Sequence, residues 1–120
     1  MKSDDYQTDA WIEEIFSGWF DPCPLDPDFD GLSIDWGWNT FCNPPYSDPL
    51  AWVEKGILEH QRHGITVVFL LKNDSSTRWF ARLHEAGAHM VWIQPRLRHK
   101  TGNRANFASC FAVLSRWGRK

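Results

Sequence analysis

The residues of this chain best placed to do chemistry lie in one run, Thr40-Phe41-Cys42-Asn43-Pro44-Pro45-Tyr46-Ser47. Thr40, Phe41 and Cys42 suit a short buried strand, and Asn-Pro-Pro stops it. Each proline fixes φ and removes an N–H, so neither helix nor ladder continues. Pro45 holds Pro44 extended, and Pro44 does the same to Asn43. What remains is a stiff loop carrying an amide side chain, the Pro44 carbonyl and the Tyr46 ring. An amide oxygen and a neighbouring carbonyl can both accept hydrogen bonds from one exocyclic NH2 group. An aromatic ring beside them can stack on the heterocycle that bears it. A plain proline-rich turn is the competing reading.

Those residues need a scaffold, and the remaining sequence supplies one. Thr8 or Asp9 is expected to cap a helix from Ala10 to about Ser17, with Trp11, Ile12, Ile15 and Phe16 on one face. Gly18 ends it. Trp19-Phe20 then reads as a very short strand delivering Asp21-Pro22-Cys23-Pro24. From Leu25 to Trp38 the chain is loop-like, rich in Asp, Pro and Gly. Ser47 or Asp48 caps a helix that Pro49 opens. It runs to about His63, with Trp52, Val53, Ile57 and Leu58 inward. Ile65 to Leu71 is a continuous apolar run, expected to be a strand buried on both faces as in a parallel sheet. Ser75 or Ser76 caps a helix through Trp79, Phe80, Leu83 and His84. Met90 to Ile93 and Ser109 to Leu114 are the last strands, with a basic loop from Arg96 to Asn106 between them.

Strands alternating with helices imply an α/β layered domain with a mostly parallel sheet flanked by helices. In such sheets ligands sit beyond the carboxyl ends of the strands. Asp21-Pro22 and Asn43-Pro44 both follow strand ends, so their loops should open on one edge. A length of 120 residues suits a single domain, 1–120, with 1–7 and 116–120 as loose ends.

The charges are segregated although the net charge is only −2. Asp4, Asp5, Asp9, Glu13, Glu14, Asp21, Asp26, Asp28, Asp30 and Asp35 crowd the front. After Glu85 there is no acid, only Arg96, Arg98, Lys100, Arg104, Arg116, Arg119 and Lys120. Such a domain can offer one basic edge to phosphates. Alternatively, these cations form a solvated tail. Cys23, Cys42 and Cys110 are odd in number and widely spaced, which points to reduced thiols in the cytoplasm. No run approaches the ~20 apolar residues of a membrane span, and no signal peptide opens the chain. His60 and His63 read as exposed helix residues, and His84, His89 and His99 are scattered. No metal is expected. Eight Trp are mostly core, with Trp36 and Trp38 the two that could instead stack on a ligand.

A strand ending in Asn-Pro-Pro-Tyr, then a helix and a buried strand, resembles the amino-methyltransferases that use S-adenosyl-L-methionine. More closely, the sequence resembles the phage-type Dam family of DNA N6-adenine methyltransferases. The likeness runs through Tyr6-Gln7-Thr8, Phe20 to Cys23, Asp30-Gly31-Leu32, Phe41 to Ser47, Trp52 to Lys55, Val67 to Leu71, Thr77 to Phe80 and Asn106 to Ser109. It implies a compact, trimmed, Rossmann-like methyltransferase fold, with DNA as partner and a host-cell cytoplasmic location if the chain is phage-encoded. A homodimer is compatible with it. It also implies roles. Asn43, Pro44, Pro45 and Tyr46 would form the catalytic loop, Asn43 and the Pro44 carbonyl taking the target N–H groups. Tyr6, Thr8, Asp21, Pro22, Cys23, Asp30 and Leu32 would hold the cofactor. Ser47, Arg96, Arg98, Lys100, Arg104 and Phe107 would contact the substrate. Phe107 is read either as a ring sandwiching an extruded base opposite Tyr46 or as a core residue.

The implied chemistry needs no strong base. The adenine N6 lone pair is delocalised, and accepting both N–H bonds turns that nitrogen toward a nucleophilic geometry. Positioning and fixed dipoles then carry catalysis, after the base has left the duplex. The same loop would also serve protein glutamine, RNA guanine or cytosine N4 as acceptors. No glycine lies between Gly18 and Gly31, which leaves open a non-catalytic, nucleic-acid-binding remnant.

Overall fold

The computed structural model describes residues 9–94, 96–98 and 107–116. Tyr6, Thr8, Lys100 and Arg104 therefore lie outside the described residues, as do 1–7 and 117–120 of the expected loose ends.

Seven elements follow in order: α1 (Ala10–Ile15), β1 (Asn39–Cys42), α2 (Pro49–His63), β2 (Thr66–Lys72), α3 (Arg78–Glu85), β3 (His89–Trp92) and β4 (Ser109–Leu114). The sheet order is β1-β2-β4-β3. β1 pairs parallel with β2, Asn39 opposite Thr66 and Cys42 opposite Phe69. β4 runs antiparallel to both β2 and β3. The sheet is thus mixed, which corrects the expectation of a mostly parallel one. α2 carries the chain back to start β2 in the direction of β1, and α3 brings β3 back in that direction too, whereas β4 runs against both of its neighbours.

The continuous apolar run in β2 does mark burial on both faces. Val67, Phe69 and Leu71 join one core cluster with Val53, Ile57, Trp79 and Leu83 beneath α2 and α3. Val68 and Leu70 point the other way, into a smaller cluster with Ile12 of α1, Ile93, Leu97 and Phe111. Phe16 stacks on Phe41 there at 4.2 Å between ring centroids. Alternation of side chains across the pleat divides the two cores.

Several local expectations shift. α1 ends at Ile15, and Asp9 receives the N–H groups of Ile12 and Glu13 on its backbone carbonyl rather than its carboxylate. Trp19-Phe20 contributes a single parallel bridge, Phe20 to Thr40, because Pro22 stops the ladder at once. Gly64 ends α2 with φ 68°, the left-handed cap that glycine adopts without strain. Leu58 is exposed rather than inward. The cap of α3 is Thr77, whose Oγ1 accepts the Phe80 N–H, while Ser76 is engaged by Asp74.

Burial corrects one expectation, that His60 is exposed, and decides one open reading, that of Trp36. His60 is buried, its Nδ1 2.7 Å from the Ile65 carbonyl oxygen, so it ties the end of α2 to the start of β2. Trp36 is buried against Phe69 and belongs to the core. Arg116 is also no loose tail residue. Its Nη1 donates to the Trp38 carbonyl, Asn39 Oδ1 and Thr66 Oγ1, and its guanidinium lies 4.8 Å from the Trp38 ring centroid.

Candidate active site

The site grows from three chain segments leaving the sheet in the same direction. Phe20, β1 and β2 run parallel, so Asp21, Asn43 and Asn73 all emerge at one edge. Phe20 bonds β1 from the outer side, Phe20 N to Asn39 O and Phe41 N to Phe20 O, both 2.9 Å. β2 bonds it from the inner side. The Asn43-Pro44 loop consequently leaves the sheet with the Asp21 loop on one flank and the end of β2 on the other.

On the outer flank, two loops that are apart in sequence meet back to back. A Cβ on Gly31 would lie 1.9 Å from the Pro22 carbonyl oxygen and 2.8 Å from a ring carbon of Trp52. Only glycine permits that approach. The Gly31 carbonyl in turn accepts the indole N–H of buried Trp36 at 2.7 Å, and Phe29 stacks near Phe20 with centroids 6.2 Å apart. Asp21 and Asp30 are both exposed. Each closes its own small turn, Asp21 Oδ1 taking the Cys23 N–H and Asp30 Oδ1 the Leu32 N–H. Leu32 keeps an exposed apolar surface beside them. The structure therefore brings Asp21, Pro22, Cys23, Asp30 and Leu32 together.

On the inner flank lies a cleft of about 260 Å³ lined by Pro44, Tyr46, Pro49, Leu71, Lys72, Asp74, Thr77, Trp79 and Phe107. Pro44 is buried and Asn43 and Tyr46 are half-buried, whereas Ser47 is exposed. Asn43 is not one of the lining residues; its neighbour Pro44 is. Phe107 stands against Tyr46 edge to face, with centroids 5.0 Å apart and planes at 86°. The two rings touch and form a corner, so a planar ring stacked on one meets the edge of the other. A slot between two parallel rings, one of the two readings of Phe107, is not the arrangement.

Lys72, Asp74, Thr77 and Trp79 are cleft residues that the sequence reading missed. The end of the Ile65 to Leu71 run was the available signal, because every strand end on that edge is a candidate. Asp74 organises this wall. Its Oδ1 accepts the Ser76 backbone N–H at 3.0 Å and the Ser76 hydroxyl at 2.5 Å, and its carbonyl accepts the Thr77 hydroxyl. The Ser76 hydrogen bonds, chiefly the hydroxyl, hold the Asp74 carboxyl below the ordinary carboxylate range.

Arg96 and Arg98 are exposed and follow the end of β3, which runs in the same direction as β2. They leave the sheet at the cleft edge but do not line the cleft. Leu97 between them is buried, and the Arg98 backbone N–H reaches Asp9 Oδ1 at 3.3 Å.

Among the described residues, one group has metal-ligand chemistry: Asp35, Glu59 and His63, with donor atoms within 4.8 Å of one another. It lies at the far end of α2 from the cleft. Glu59, its buried member, already takes the Trp36 N–H at 2.7 Å and the Lys55 ammonium at 3.2 Å. That carboxylate fastens the loop before β1 to α2. No helix among the described residues is long and apolar enough to cross a membrane.

The DNA N-6-adenine-methyltransferase (Dam) family profile matches residues 24–116. The chain belongs to this family. A DNA N-6-adenine-methyltransferase of Haemophilus phage HP1 is 36% identical over 83 residues, 65% of this chain and 48% of that protein. A DNA N-6-adenine-methyltransferase of Escherichia phage T1 is 39% identical over 64 residues, 52% of this chain and 26% of that protein. The matched part thus spans about half the length of one relative and a quarter of the other. No solved structure matches.

Proposed function

We propose that the chain methylates the N6 amino group of adenine in DNA, with S-adenosyl-L-methionine as donor. The observation that carries this reading is the position of the Asn43-Pro44 loop. It divides an aromatic cleft on the β2 side from the paired Asp21 and Asp30 turns on the Phe20 side. A transfer between two ligands needs such a partition, with acceptor and donor meeting at the loop. Membership of the Dam family and the phage relatives support the choice of adenine.

The residues on the Phe20 side fit the cofactor in their chemistry. Exposed carboxylates on Asp21 and Asp30 suit hydroxyl and ammonium groups, and the exposed face of Leu32 suits a heterocycle. When bound, the cofactor supplies an electrophilic methyl group on a sulfonium. The protein's task is the acceptor. Tyr46 and Phe107 receive the extruded base at their shared corner, through stacking that every base permits. Asn43 and the Pro44 carbonyl accept the two N6–H bonds, which frees the nitrogen lone pair from the ring. As positive charge develops on N6, the same two oxygens stabilise it, and they need no reorganisation to do so. The proton leaves afterwards to water.

The parallel run of Phe20, β1 and β2, with α2 as a crossover, supports this assignment, since ligands are expected beyond the carboxyl ends of such strands. We place the protein in the cytoplasm, where DNA and the cofactor occur together. A homodimer is checked by light scattering. The function is tested by incubating the protein with labelled cofactor and unmethylated DNA, then separating the nucleosides. N6-methyladenine is expected. Label in N4-methylcytosine, in RNA or in protein assigns a different acceptor, and no label at all rejects the enzyme.

A further inference from the structure

We propose that Lys72 clamps the phosphate of the nucleotide whose base enters the cleft, and that it shields the cleft's aromatic wall until then. The inference rests on the DNA reading above and extends it to one positioning residue.

Lys72 is the last residue of β2, exposed at the cleft, and is the only cation among the described residues that line it. Its place is set by strand register rather than by a loose loop. Lys72 pairs with Ser109, and a backbone bond from Asn73 N to Ala108 O at 2.9 Å carries the pairing one step further. Phe107 lies two residues before Ser109 and so falls diagonally opposite Lys72, within reach of a long side chain. The Lys72 ammonium sits 5.5 Å from the centroid of the Phe107 ring.

That contact is a cation–π interaction at an exposed site, among the weaker forces that hold a lysine. No salt bridge holds it among the described residues, although its charge and the nearby Asp74 carboxylate attract one another. Asp74, the one acid among the described residues that line the cleft, commits its Oδ1 to Ser76. The ammonium is therefore parked over an aromatic face that an incoming base would use.

Base and ammonium cannot both occupy that face. The base is planar and belongs in the aromatic cleft, whereas its phosphate keeps its charge and stays at the wet mouth. When the base enters, the ammonium leaves the ring, and the nearest new anion is that phosphate. Arg96 and Arg98 emerge at the same edge but outside the cleft, where they would meet the duplex rather than the extruded nucleotide. Lysine serves here as a mobile point charge.

The test compares wild type, Lys72→Met and Lys72→Arg. The probe is a duplex whose target adenine is mispaired, so that extrusion costs little. Binding is followed by anisotropy across a salt series, and methyl transfer is followed in parallel. One lost phosphate contact lowers the slope of log affinity against log salt by about 0.9. Lys72→Met is expected to show that fall, with a raised DNA KM and little change in kcat, while Lys72→Arg restores the slope. Melting temperature should be close to wild type, since the residue is exposed. An unchanged slope in Lys72→Met overturns the clamp, as does a full loss of kcat at unchanged KM. Wild-type turnover reports separately on the methyltransferase reading. If wild type binds the probe without methylating it, that reading fails while the slope still decides Lys72.

Discussion

The Pro22 carbonyl and the α-carbon of Gly31 are pressed together so closely that one methyl group on Gly31 would lie 1.9 Å from the carbonyl oxygen. This contact joins the Asp21 and Asp30 turns into one unit. Gly31→Ala must push the turns apart. Overpacking of this kind costs about 1–3 kcal/mol, and the expected result is a lower melting temperature with weaker binding of S-adenosyl-L-methionine by calorimetry. Wild-type values for both would show that the two turns act independently.

Asn43→Ala removes an acceptor that the proposed chemistry cannot replace, because the Pro44 carbonyl alone can take only one N6–H in line. Loss of one preorganised hydrogen-bond partner typically lowers turnover by about a hundredfold or more. Cofactor affinity should hardly change, since Asn43 serves the acceptor. Turnover within a few-fold of wild type would remove Asn43 from the catalytic role.

How far the sequence reached depends on what each signal encodes. The apolar run in β2 encodes burial on two faces, and the structure has it, with Val67 and Phe69 on one side and Val68 and Leu70 on the other. It carries nothing about the direction of the neighbouring strand. The pairing partner decides that, and β4 lies antiparallel. His60 looks like a surface residue by type alone. It nonetheless shares a helix face with Val53 and Ile57 at i+7 and i+3, a spacing that marks it as inward. The meeting of Tyr46 with Phe107 follows from chain order at the sheet edge, but their perpendicular pose does not, because it depends on side-chain packing. Lys72 and Asp74 carry no motif of their own and become site residues only through the end of the strand they follow.

Asp74 should give the fold a measurable acid limb. Ser76 lowers its folded pKa, so the unfolded chain, with an ordinary carboxylate near about 3.9, binds the proton more readily. The stabilisation is complete above that value and is lost as pH falls through the lower folded one. Asp74→Ala is expected to melt earlier than wild type at neutral pH, with the gap closing below about pH 3.9. A gap that is constant down to pH 2 would assign the effect to packing instead.

The three thiols should differ sharply in reactivity. Cys42 and Cys110 are fully buried while Cys23 is partly exposed, and burial pushes the Cys110 thiol up to about 11. A low thiolate fraction and poor access both slow modification. A thiol reagent at mild alkaline pH should therefore label Cys23 first, and Cys42 and Cys110 only on unfolding. Because Cys23 belongs to the turn proposed to hold the cofactor, S-adenosyl-L-methionine should protect it. Unchanged labelling in the presence of saturating cofactor would move the cofactor away from the Asp21 turn.

The corner formed by Tyr46 and Phe107 separates two kinds of aromatic residue. Phe107 is half-buried, and its ring meets both Tyr46 at 5.0 Å and the Lys72 ammonium at 5.5 Å. A core phenylalanine truncated to alanine costs about 3–5 kcal/mol of stability, whereas a stacking residue costs about 1–3 kcal/mol per base in binding. Its position at the cleft favours the second outcome. Phe107→Ala should stay folded, with a modest fall in melting temperature, and bind DNA with an extruded adenine more weakly. Tyr46→Ala should do the same. Because the two rings support each other edge to face, the double variant should lose less binding than the two single losses added together, the mark of coupled neighbours. Strict additivity would mean that each ring meets the base alone. A large drop in melting temperature with normal DNA binding would return Phe107 to the core.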